Sequence, residues 1–327
     1  MSKRVQFAAH GGAEVLQLVD FTPAAPRDNE VQIENKAIGI NYIDTYIREG
    51  LYPVSQFPSG LGTEGAGVIT HVGAGVKGFH VGDRVVYAQA PLGAYSDVHN
   101  VPSDSVAKLP DNITFEQGAS SFLKGLTVQY LLRQTYEIKA GEIFLFHAAA
   151  GGVGLIACQW AKALGAKLIG TVSSEEKAQL AKKAGAWATI NYQIDDIAEK
   201  LSELTQGEKV SVVYDSVGKD TWLSSLDCLK PRGLMVSFGN ASGPVTGVNL
   251  GILNQKGSLY VTRPSLGGYV RSREDLDKAS QSLFDMIASG AINVDVAESQ
   301  KFPLSDVKRA HEMLQSRKTS GSSLLIP

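Results

Sequence analysis

The sequence predicts an α/β protein in which a mostly β domain precedes a doubly wound parallel sheet. Three observations lead to this fold class. The chain has 327 residues, more than one ordinary hydrophobic core accommodates, so two domains are expected. Up to residue 120 the chain consists of short β-prone runs broken by Gly and Pro. After that point apolar runs alternate with amphipathic stretches, as in repeated strand–helix–strand units.

The N-terminal domain, placed at residues 1–122, contains several runs that are typical of strands joined by turns. These runs are VQIENKAIGI, GAGVITHVG, GDRVVYAQ, GAYSDVHNV and SVAKLP. A helix is expected over FEQGASSFLKGLTVQYLLRQ, at the passage to the second domain.

The parallel sheet is placed at residues 123–263. Its strands are predicted at the apolar runs EIFLFH, KLIGTV, WATINY, VSVVYDSV, GLMVSFG and SLYVTR. Helices are predicted at the amphipathic stretches GLIACQWAKALG, SEEKAQLAKKAG, DIAEKLSELT and DTWLSSLDCLK. This alternation indicates a parallel sheet covered on both faces. The remaining residues, 264–327, contain two helical patterns and the final strand SSLLIP.

Composition excludes several classes of protein. With 31 basic and 33 acidic residues the net charge is −2, so no electrostatic footprint for nucleic acid or an anionic membrane is present. Two cysteines cannot make a disulfide framework, and Cys158, inside an apolar helical pattern, is expected to be a buried thiol. The N-terminus lacks an apolar signal region, and no uncharged apolar run reaches the ~18 residues of a membrane span. A cytoplasmic protein is the simplest interpretation.

A Gly-rich turn lies between the first strand of the sheet, EIFLFH, and the helix behind it. The segment Ala149–Gly154 reads A-x-G-x-x-G against the dinucleotide-binding fingerprint. Gly151 would let the backbone approach a pyrophosphate, and Gly154 would allow close packing of helix on strand. The N–H groups and dipole of the helix would then hold the anion, with Gly152 and Val153 in its first turn. A turn with a purely structural role is the alternative.

The end of the second strand, KLIGTV, predicts which dinucleotide binds. Where an acid would accept from a ribose 2′-hydroxyl, the chain has Ser173, followed by Ser174 and, one helical turn on, Lys177. A carboxylate there would repel a 2′-phosphate, whereas two hydroxyls and an ammonium would attract one. A helix N-cap at either serine is an alternative that is compatible with phosphate binding. The sequence therefore favours NADPH over NADH.

Several stretches together carry a family resemblance. HAAAGGVGLIACQWAKALGAKLIGT, GINYIDTYIREGLYP, LGTEGAGVI and VTGVNLGILNQKGSLYVTRPSL resemble the bacterial NADPH:quinone oxidoreductases, the zeta-crystallin-like branch of the medium-chain dehydrogenase/reductase superfamily. The resemblance extends over essentially the whole chain. It implies a GroES-like catalytic domain at 1–122, closed by the returning segment 264–327. It also implies a Rossmann NADPH-binding domain at 123–263 and a cofactor in the cleft between the two domains.

The zinc alcohol dehydrogenases of the same superfamily differ from this chain at their metal ligands. Where they read G-[VI]-C-H-x-D, this chain has Asn41 in place of the cysteine. Where they read G-H-E-x-x-G, it has Thr63 in place of the histidine, and their four-cysteine zinc lobe is missing. None of the six histidines has metal-like spacing, so no metal site is expected. Without a Lewis acid an alkoxide is hard to generate, and oxidation of alcohols becomes improbable.

A substrate that accepts hydride without metal help must already be electron-poor, as quinones and conjugated carbonyls are. The GINYIDTY stretch would line the nicotinamide end of the site. We assign Asn41, Tyr46 and Tyr52 to positioning of substrate and nicotinamide, with a tyrosine as a candidate proton donor or stacking surface for a flat quinone. Packing alone is the alternative role for any one of these tyrosines.

The resemblance implies further cofactor contacts, position by position. Tyr42, Ile43, Asp44, Thr45 and Tyr46 lie on the GINYIDTY stretch. The other implied contacts follow the strands of the sheet or the helix before it, and are Tyr130, Tyr192, Val217, Phe238, Gly239, Asn240, Ala241, Pro264, Ser265 and Leu266. Arg317 is a second candidate phosphate clamp, or else a solvated cation at a helix C-terminus.

The expected function is NADPH-dependent reduction of quinones. A reductase of the double bond in α,β-unsaturated aldehydes or ketones is the enzymatic alternative, since the same fold without zinc serves both. A non-enzymatic role, as in the lens crystallins and RNA binders among the relatives, is the third hypothesis. The neutral charge balance and the intact phosphate turn argue against it. A homodimer is expected through the apolar, β-prone run GSLYVTR, the last strand of the series.

Overall fold

The computed structural model describes residues 1–316 and 319–327 of the chain. These residues form two compact units. The first unit comprises residues 1–126 and 270–327, and the second comprises residues 127–269. The chain therefore leaves the first unit once and returns to it.

The first 130 residues contain mostly strands, as the β-prone runs predict. The strands are β1 (Ser2–Phe7), β2 (Gln17–Phe21), β3 (Glu30–Ile40), β4 (Ser59–Gly60), β5 (Gly65–Val72), β6 (Arg84–Tyr87), β7 (Val98–Pro102) and β8 (Val106–Lys108). The helices are α1 (Tyr42–Glu49) and α2 (Phe115–Tyr130), with 3-10 turns at Ala13–Val15 and Ser103–Ser105. The boundary between the units falls within α2.

Strands and helices alternate through the second unit. The strands are β9 (Ile143–Phe146), β10 (Lys167–Val172), β11 (Ala188–Asn191), β12 (Val210–Asp215), β13 (Leu229–Ser237) and β14 (Tyr260–Thr262). The helices are α3 (Gly152–Ala163), α4 (Glu175–Ala184), α5 (Ile197–Leu204), α6 (Trp222–Asp227), α7 (Gly251–Gln255) and α8 (Leu266–Tyr269), and a π-helical turn at Leu131–Thr135 precedes them.

The C-terminal residues add two helices and two strands to the first unit. They are α9 (Arg273–Ala288), β15 (Lys301–Pro303), α10 (Val307–Gln315) and β16 (Ser323–Ile326), with 3-10 turns at Glu298–Gln300 and Leu304–Asp306. The final strand coincides with the predicted run SSLLIP.

The first unit contains a small sheet and a large one. The small sheet has the order β2-β1-β4, and the large sheet has the order β15-β16-β3-β5-β6-β8, with β7 also paired to β3. β16 runs antiparallel to β3, with Leu324 opposite Gly39. The C-terminal strand is thus built into the sheet next to the end of β3, where the chain turns into α1.

The second unit is built on one six-stranded sheet of order β11-β10-β9-β12-β13-β14, and every strand pair in it is parallel. The strand order reverses between β9 and β12, because β10 and β11 lie on one side of β9 and the later strands on the other. In a doubly wound sheet this reversal opens a crevice at the carboxyl ends of the strands. The predicted fold class is confirmed.

Each unit has its own hydrophobic core. In the first unit Phe7 and Ile38 pack in one cluster with Phe302 and Leu325, so residues from both ends of the chain complete this core. In the second unit the core draws on successive strands of the parallel sheet, including Leu145, Ile169, Val213 and Met235. Apolar burial of this kind is the dominant favourable contribution to folding.

Both cysteines are free and buried, as predicted for Cys158. Burial raises the pKa of the Cys158 and Cys228 thiols to about 12, so neither is a reactive thiolate at neutral pH.

β14 is the last strand of the parallel sheet, and in the described part of the chain it pairs only with β13. Tyr260 and Val261 on this strand are 61% and 39% exposed. An edge strand with apolar side chains facing solvent is a template for pairing with another strand. Among the described helices, none has both the length and the apolar character needed to span a bilayer.

Candidate active site

The structure places the sequence-predicted cofactor residues of the second unit together, at the carboxyl ends of the parallel strands. Each strand contributes residues that immediately follow it or begin the next helix. In strand order these are Gly151, Gly152 and Val153 after β9; Ser173, Ser174 and Lys177 after β10; Tyr192 after β11; Val217 after β12; Phe238, Gly239, Asn240 and Ala241 after β13; and Pro264, Ser265 and Leu266 after β14. Residues scattered between Gly151 and Leu266 therefore share one edge of the sheet, where ligands bind in this architecture.

The Gly-rich turn joins β9 directly to α3, with Gly151 as the helix N-cap. The first N–H groups of α3 have no partner within the helix, so they are available to an anion. A Cβ atom on Gly154 would lie 2.3 Å from the carbonyl oxygen of Ala148 and 2.6 Å from the backbone of Ala149. Only glycine therefore permits the close approach of helix to strand that the sequence predicted.

A buried polar network holds the start of this turn. The Thr171 hydroxyl donates to His147 Nδ1 at 3.0 Å and accepts the Ala148 N–H at 3.2 Å. His147 Nε2 donates to Ser225 Oγ at 2.9 Å, because Ser225 uses its own proton to donate to Asp215 Oδ2 at 2.7 Å. Burial lowers the pKa of His147, so the ring stays neutral and this tautomer is fixed.

The presence of a Ser, a His and an Asp in this network does not indicate a nucleophile. Ser225, His147 and Asp215 are all fully buried, and the serine proton points to the aspartate instead of the histidine. Asp215 instead uses its other oxygen, Oδ1, to accept the N–H groups of Val217 at 2.7 Å and Gly218 at 3.0 Å. The network therefore connects the turn after β9 with the loop after β12.

The end of β10 forms the predicted helix cap. Ser174 is the N-cap of α4, and its Oγ accepts the backbone N–H of Lys177 at 3.3 Å. Ser173 and Lys177 are both half-buried and stand on either side of this cap. Two hydroxyls, a helix N-terminus and an ammonium are thus gathered within five residues, which is a suitable environment for a phosphate group.

The loop after β13 is held by a residue that sequence reasoning did not assign. Arg263, just beyond β14, donates from Nη1 to the Gly239 carbonyl at 3.0 Å and to Ser237 Oγ at 3.3 Å. Tyr130, at the end of α2, is buried and stacks on Tyr269, with ring centroids 4.5 Å apart and planes 14° apart. Burial raises the pKa of the Tyr130 phenol, so it acts as a neutral ring.

The predicted catalytic residues belong to the first unit and cluster on the turn from β3 into α1. Asn41 is the N-cap of α1, and its backbone N–H donates to Asp44 Oδ2 at 2.8 Å. The rings of Tyr42 and Tyr46 lie 6.1 Å apart, and those of Tyr46 and Tyr52 lie 5.6 Å apart at 82°. Tyr42 and Tyr46 therefore lie on α1, Asn41 lies directly before this helix, and Tyr52 lies shortly after it.

The remaining predicted residues of this segment are mostly internal. Thr45 is buried and donates from Oγ1 to the Tyr42 carbonyl at 2.7 Å, and Ile43 is half-buried. The Asp44 side chain is fully buried, so any contact of Asp44 with a cofactor must come from its backbone. Arg317 lies outside the described residues.

A directional chain of buried hydrogen bonds fixes α1 against α10. Arg48 donates from Nη1 to His311 Nδ1 at 2.8 Å, so the proton of the neutral imidazole is on Nε2. Nε2 donates to the Tyr95 hydroxyl at 3.1 Å, and Tyr95 donates to Asp44 Oδ2 at 2.8 Å. Arg48, Tyr95, His311 and Asp44 are fully buried.

The ionisation of the groups in this hydrogen-bond chain follows from their burial. Burial, reinforced by the neighbouring Arg48 charge, lowers the pKa of His311 to about 3. Burial raises the pKa of Asp44 to about 7, although the Asn41 N–H and the Tyr95 hydroxyl act in the opposite direction. Asp44 is therefore a carboxyl group that titrates near neutral pH inside the protein.

Sequence reasoning missed the buried polar partners of this segment. They are Arg48, Glu64, Tyr95, Lys124 and His311. The available signal was a charge inside an apolar run, as with Lys124 in SSFLKGLTV. Tyr95 and His311 carried no such signal, because only the folded chain brings them next to α1.

Two family models match the chain. The model of the alcohol dehydrogenase GroES-like domain matches residues 27–111, and the model of zinc-binding dehydrogenases matches residues 152–285. Within the described residues no group of three or more His, Cys, Asp or Glu side chains is placed to hold a metal ion.

The chain is also similar to characterised proteins along its whole length. It is 70% identical to quinone oxidoreductase 1 of Escherichia coli K12 over 327 residues, which is all of both chains. It is 44% identical to a 2-haloacrylate reductase of a Burkholderia species over 326 residues, covering 97% of this chain and 96% of that protein. The crystal structure of Escherichia coli quinone oxidoreductase complexed with NADPH matches with a TM-score of 0.99 at 70% identity, covering 99% of this chain and 100% of the other.

We predict that Asp44→Asn changes how stability depends on pH. Because the pKa of Asp44 is raised from 3.8 to about 7, folding favours its protonated form. This stabilisation is full below the unfolded pKa and is lost as pH rises through 7. The free energy of unfolding of the wild type, taken relative to that of D44N, should therefore rise on acidification from pH 7 to 4, by up to roughly 4 kcal/mol.

Chemical denaturation at several pH values measures this difference. The buried histidines His147 and His311 have lowered pKa values and destabilise the fold in acid, but they are common to both proteins and cancel. Asp20→Asn, on an exposed position of β2, is the control substitution. A difference between wild type and D44N that does not change with pH would contradict the prediction.

Proposed function

This chain belongs to the quinone oxidoreductase family of GroES-like dehydrogenases, and we propose that it reduces quinones with NADPH and without a metal ion. The observation that carries the proposal is the gathering of a phosphate-binding turn, a Ser-Ser-Lys cluster and four further loops at one edge of a parallel sheet. This edge is where dinucleotides bind in doubly wound folds.

The residues of the second unit fit a dinucleotide. The α3 N-terminus, which Gly154 lets approach β9, would hold the pyrophosphate through the N–H groups of Gly152 and Val153. The loops after β12 and β13 are held in place by Asp215 and Arg263, so their backbones are preorganised for the cofactor. When bound, NADPH supplies the hydride.

The preference for NADPH is supported by the end of β10. Ser173, Ser174 and Lys177 offer two hydroxyls and an ammonium beside the start of α4. No carboxylate stands directly after β10 at Ser173, so a 2′-phosphate is not repelled where an NAD-specific enzyme would bind the ribose hydroxyl. Charge-assisted hydrogen bonds to phosphate are about twice as strong as neutral ones.

The first unit supports an electron-poor substrate. Asn41 and Thr63 occupy positions where related enzymes keep zinc ligands, and a carboxamide and a hydroxyl are not zinc ligands. The substrate must therefore accept hydride without a Lewis acid, and the electron-poor ring of a quinone can do so. Tyr46 and Tyr52 present phenol groups that can donate to a carbonyl oxygen on which negative charge develops.

Reduction of an activated carbon–carbon double bond is the second candidate. It is supported by the 44% identity with a 2-haloacrylate reductase over nearly the whole chain. A conjugated carbonyl compound and a quinone both present a carbonyl oxygen to hydrogen-bond donors, so the same residues would serve either reaction.

We further propose that the protein is a cytoplasmic homodimer. The outer edge of β14, which pairs with no strand in the described part of the chain and exposes Tyr260 and Val261, supports pairing with the same strand of a second copy, which would extend the sheet across a two-fold axis. Two free, buried cysteines are in keeping with a reducing compartment.

The purified protein should oxidise NADPH with 1,4-benzoquinone and should not reduce NADP⁺ with ethanol. Among the described residues no group is placed to hold a metal ion that would polarise an alcohol, whereas the quinone ring supplies its own driving force. Tyr52→Phe should lower turnover by about tenfold or less, the effect of one lost hydrogen bond. Absorbance of NADPH at steady state measures both reactions. Robust ethanol oxidation would contradict the proposal, and an enone preferred to every quinone would favour the second candidate.

Replacement of Lys177 by Ala should weaken NADPH binding by about tenfold and leave NADH binding unchanged, because one charge-assisted contact to the phosphate is lost. Fluorescence titration with each cofactor measures the two affinities. Lys183→Ala, an exposed position on the same helix, is the matched control and should change neither. Equal losses for both cofactors in K177A would show that the residue acts through folding.

A charge on the edge strand should dissociate the dimer. Val261→Lys places an ammonium on β14, where pairing of two copies would bring two such charges together and desolvate them. Light scattering at micromolar concentration should report a dimer for the wild type and a monomer for V261K. Val81→Lys, at a 66% exposed position in the first unit, should remain dimeric. A monomeric wild type would rule out this proposal.

A further inference from the structure

Glu64 is a fully buried carboxylate directly before β5 in the first unit. Its Oε1 accepts the backbone N–H of Leu123 at 2.6 Å, and its Oε2 accepts Asn41 Nδ2 at 2.7 Å. Lys124 Nζ lies 3.5 Å from the same Oε2. Donors from α2 and from the end of β3 thus converge on one carboxylate.

Lys124 is as deeply buried as its partner. The residue is 5% exposed, and its ammonium has no hydrogen-bond partner within the described residues. Glu64 is the anion at ion-pair distance from it in this part of the structure. Burying an ammonium that makes no hydrogen bond is costly, and such a pair is seldom a net gain in stability over apolar residues. The pair therefore has a role other than stability, which is to act on a third polar group that Glu64 contacts.

That third group is the Asn41 carboxamide. A backbone N–H and an ammonium can only donate, so Leu123 and Lys124 keep both oxygens of Glu64 as acceptors. Asn41 must then present its nitrogen, not its oxygen, to Glu64. The backbone N–H of Asp44 donates to the Asn41 backbone carbonyl at 3.0 Å. Glu64 is therefore the group that sets the orientation of the Asn41 amide.

Space for the carboxylate depends on the strand beside it. A Cβ atom on Gly39 would lie 2.2 Å from Glu64 Oε2 and 2.4 Å from the Ala119 carbonyl oxygen. Neither contact is sterically possible, so the position of Glu64 requires glycine in β3 at this point. The absence of a side chain at Gly39 in β3 thus leaves the space that the Glu64 carboxylate occupies.

We propose that the Glu64–Lys124 ion pair is a positioning element that fixes the Asn41 carboxamide as a hydrogen-bond donor to a carbonyl oxygen of the bound substrate. Asn41 Nδ2 carries two protons, and Glu64 takes one of them. The second is the donor offered to the ligand. A quinone presents carbonyl oxygens that accept such a bond, so this inference deepens the proposed function and rests on it.

A double-mutant cycle tests whether Glu64 acts through Asn41. Glu64→Gln keeps the shape but can either donate or accept, so it releases the amide orientation. E64Q and Asn41→Ala should each lower kcat/KM for 1,4-benzoquinone by about tenfold, the effect of one hydrogen bond. The double variant should be no slower than the slower single variant, because both remove the same contact. Losses that add in the double variant would overturn the proposal.

The cation is tested by replacement and rescue. Lys124→Met should lower kcat/KM as E64Q does, and Lys124→Arg, which keeps the charge, should restore most of it. NADPH affinity, measured by fluorescence titration, should stay within about twofold in the Glu64 and Lys124 variants, since neither side chain is among the predicted cofactor contacts. The control is the exposed pair Lys36–Glu34 on β3, where Lys36→Met and Glu34→Gln should leave kcat/KM unchanged. Loss of NADPH affinity in parallel with kcat/KM would show a structural role and overturn the proposal.

Neutron diffraction provides a readout that does not depend on activity. Crystals exchanged into D₂O should show deuterium on the Asn41 amide nitrogen facing Glu64 Oε2. An Asn41 oxygen in that place would overturn the proposal whatever the substrate proves to be. If the wild type reduces an enone instead of quinones, the proposed function fails, but the double-mutant cycle can be run with the enone and still decides the role of Glu64.

Discussion

The hydrogen-bond chain from Arg48 through His311 and Tyr95 to Asp44 is the constraint on which the first unit depends. It joins α10, near the end of the chain, to α1, which begins at Asn41. Its direction is set at Arg48, which can only donate, so each later group has one way to place its proton. Since a buried polar group without its partner is costly, loss of one member would leave the others unsatisfied. The segment carrying the predicted catalytic residues is thus held by residues remote in sequence.

In the second unit a different set of buried polar groups holds the segments that carry the predicted site residues. His147, Thr171, Ser225 and Asp215 are buried below the carboxyl edge of the sheet, and they bond to the backbone of the loops above them. The bonds to Ala148, Val217 and Gly218 order the loops after β9 and β12. The N–H groups at the start of α3, which a dinucleotide requires, are not used by this network and stay available.

The chemistry proposed for the site follows from the polar groups left next to the turn into α1. Zinc enzymes of the superfamily polarise an oxygen with a metal ion, whereas this chain has a carboxamide and a cluster of tyrosines there. Such donors stabilise negative charge less strongly than a metal, which suits a substrate that is already electron-poor. The buried Glu64–Lys124 pair has a place in this scheme, because a weak donor is useful only if its orientation is fixed.

The sequence by itself determined the fold class and the Gly-rich turn, and it is the source of the proposed NADPH preference, because each depends on local patterns: strand–helix alternation, the glycines of Ala149–Gly154, and the serines that follow β10. Ser174 caps α4 as expected, for the same local reason. Only the tertiary structure placed Lys124 against Glu64 and His311 between Arg48 and Tyr95. These contacts join residues up to 263 positions apart, and no local periodicity encodes which buried charge meets which partner. Their pairing was decided by the strands and helices that bring them together.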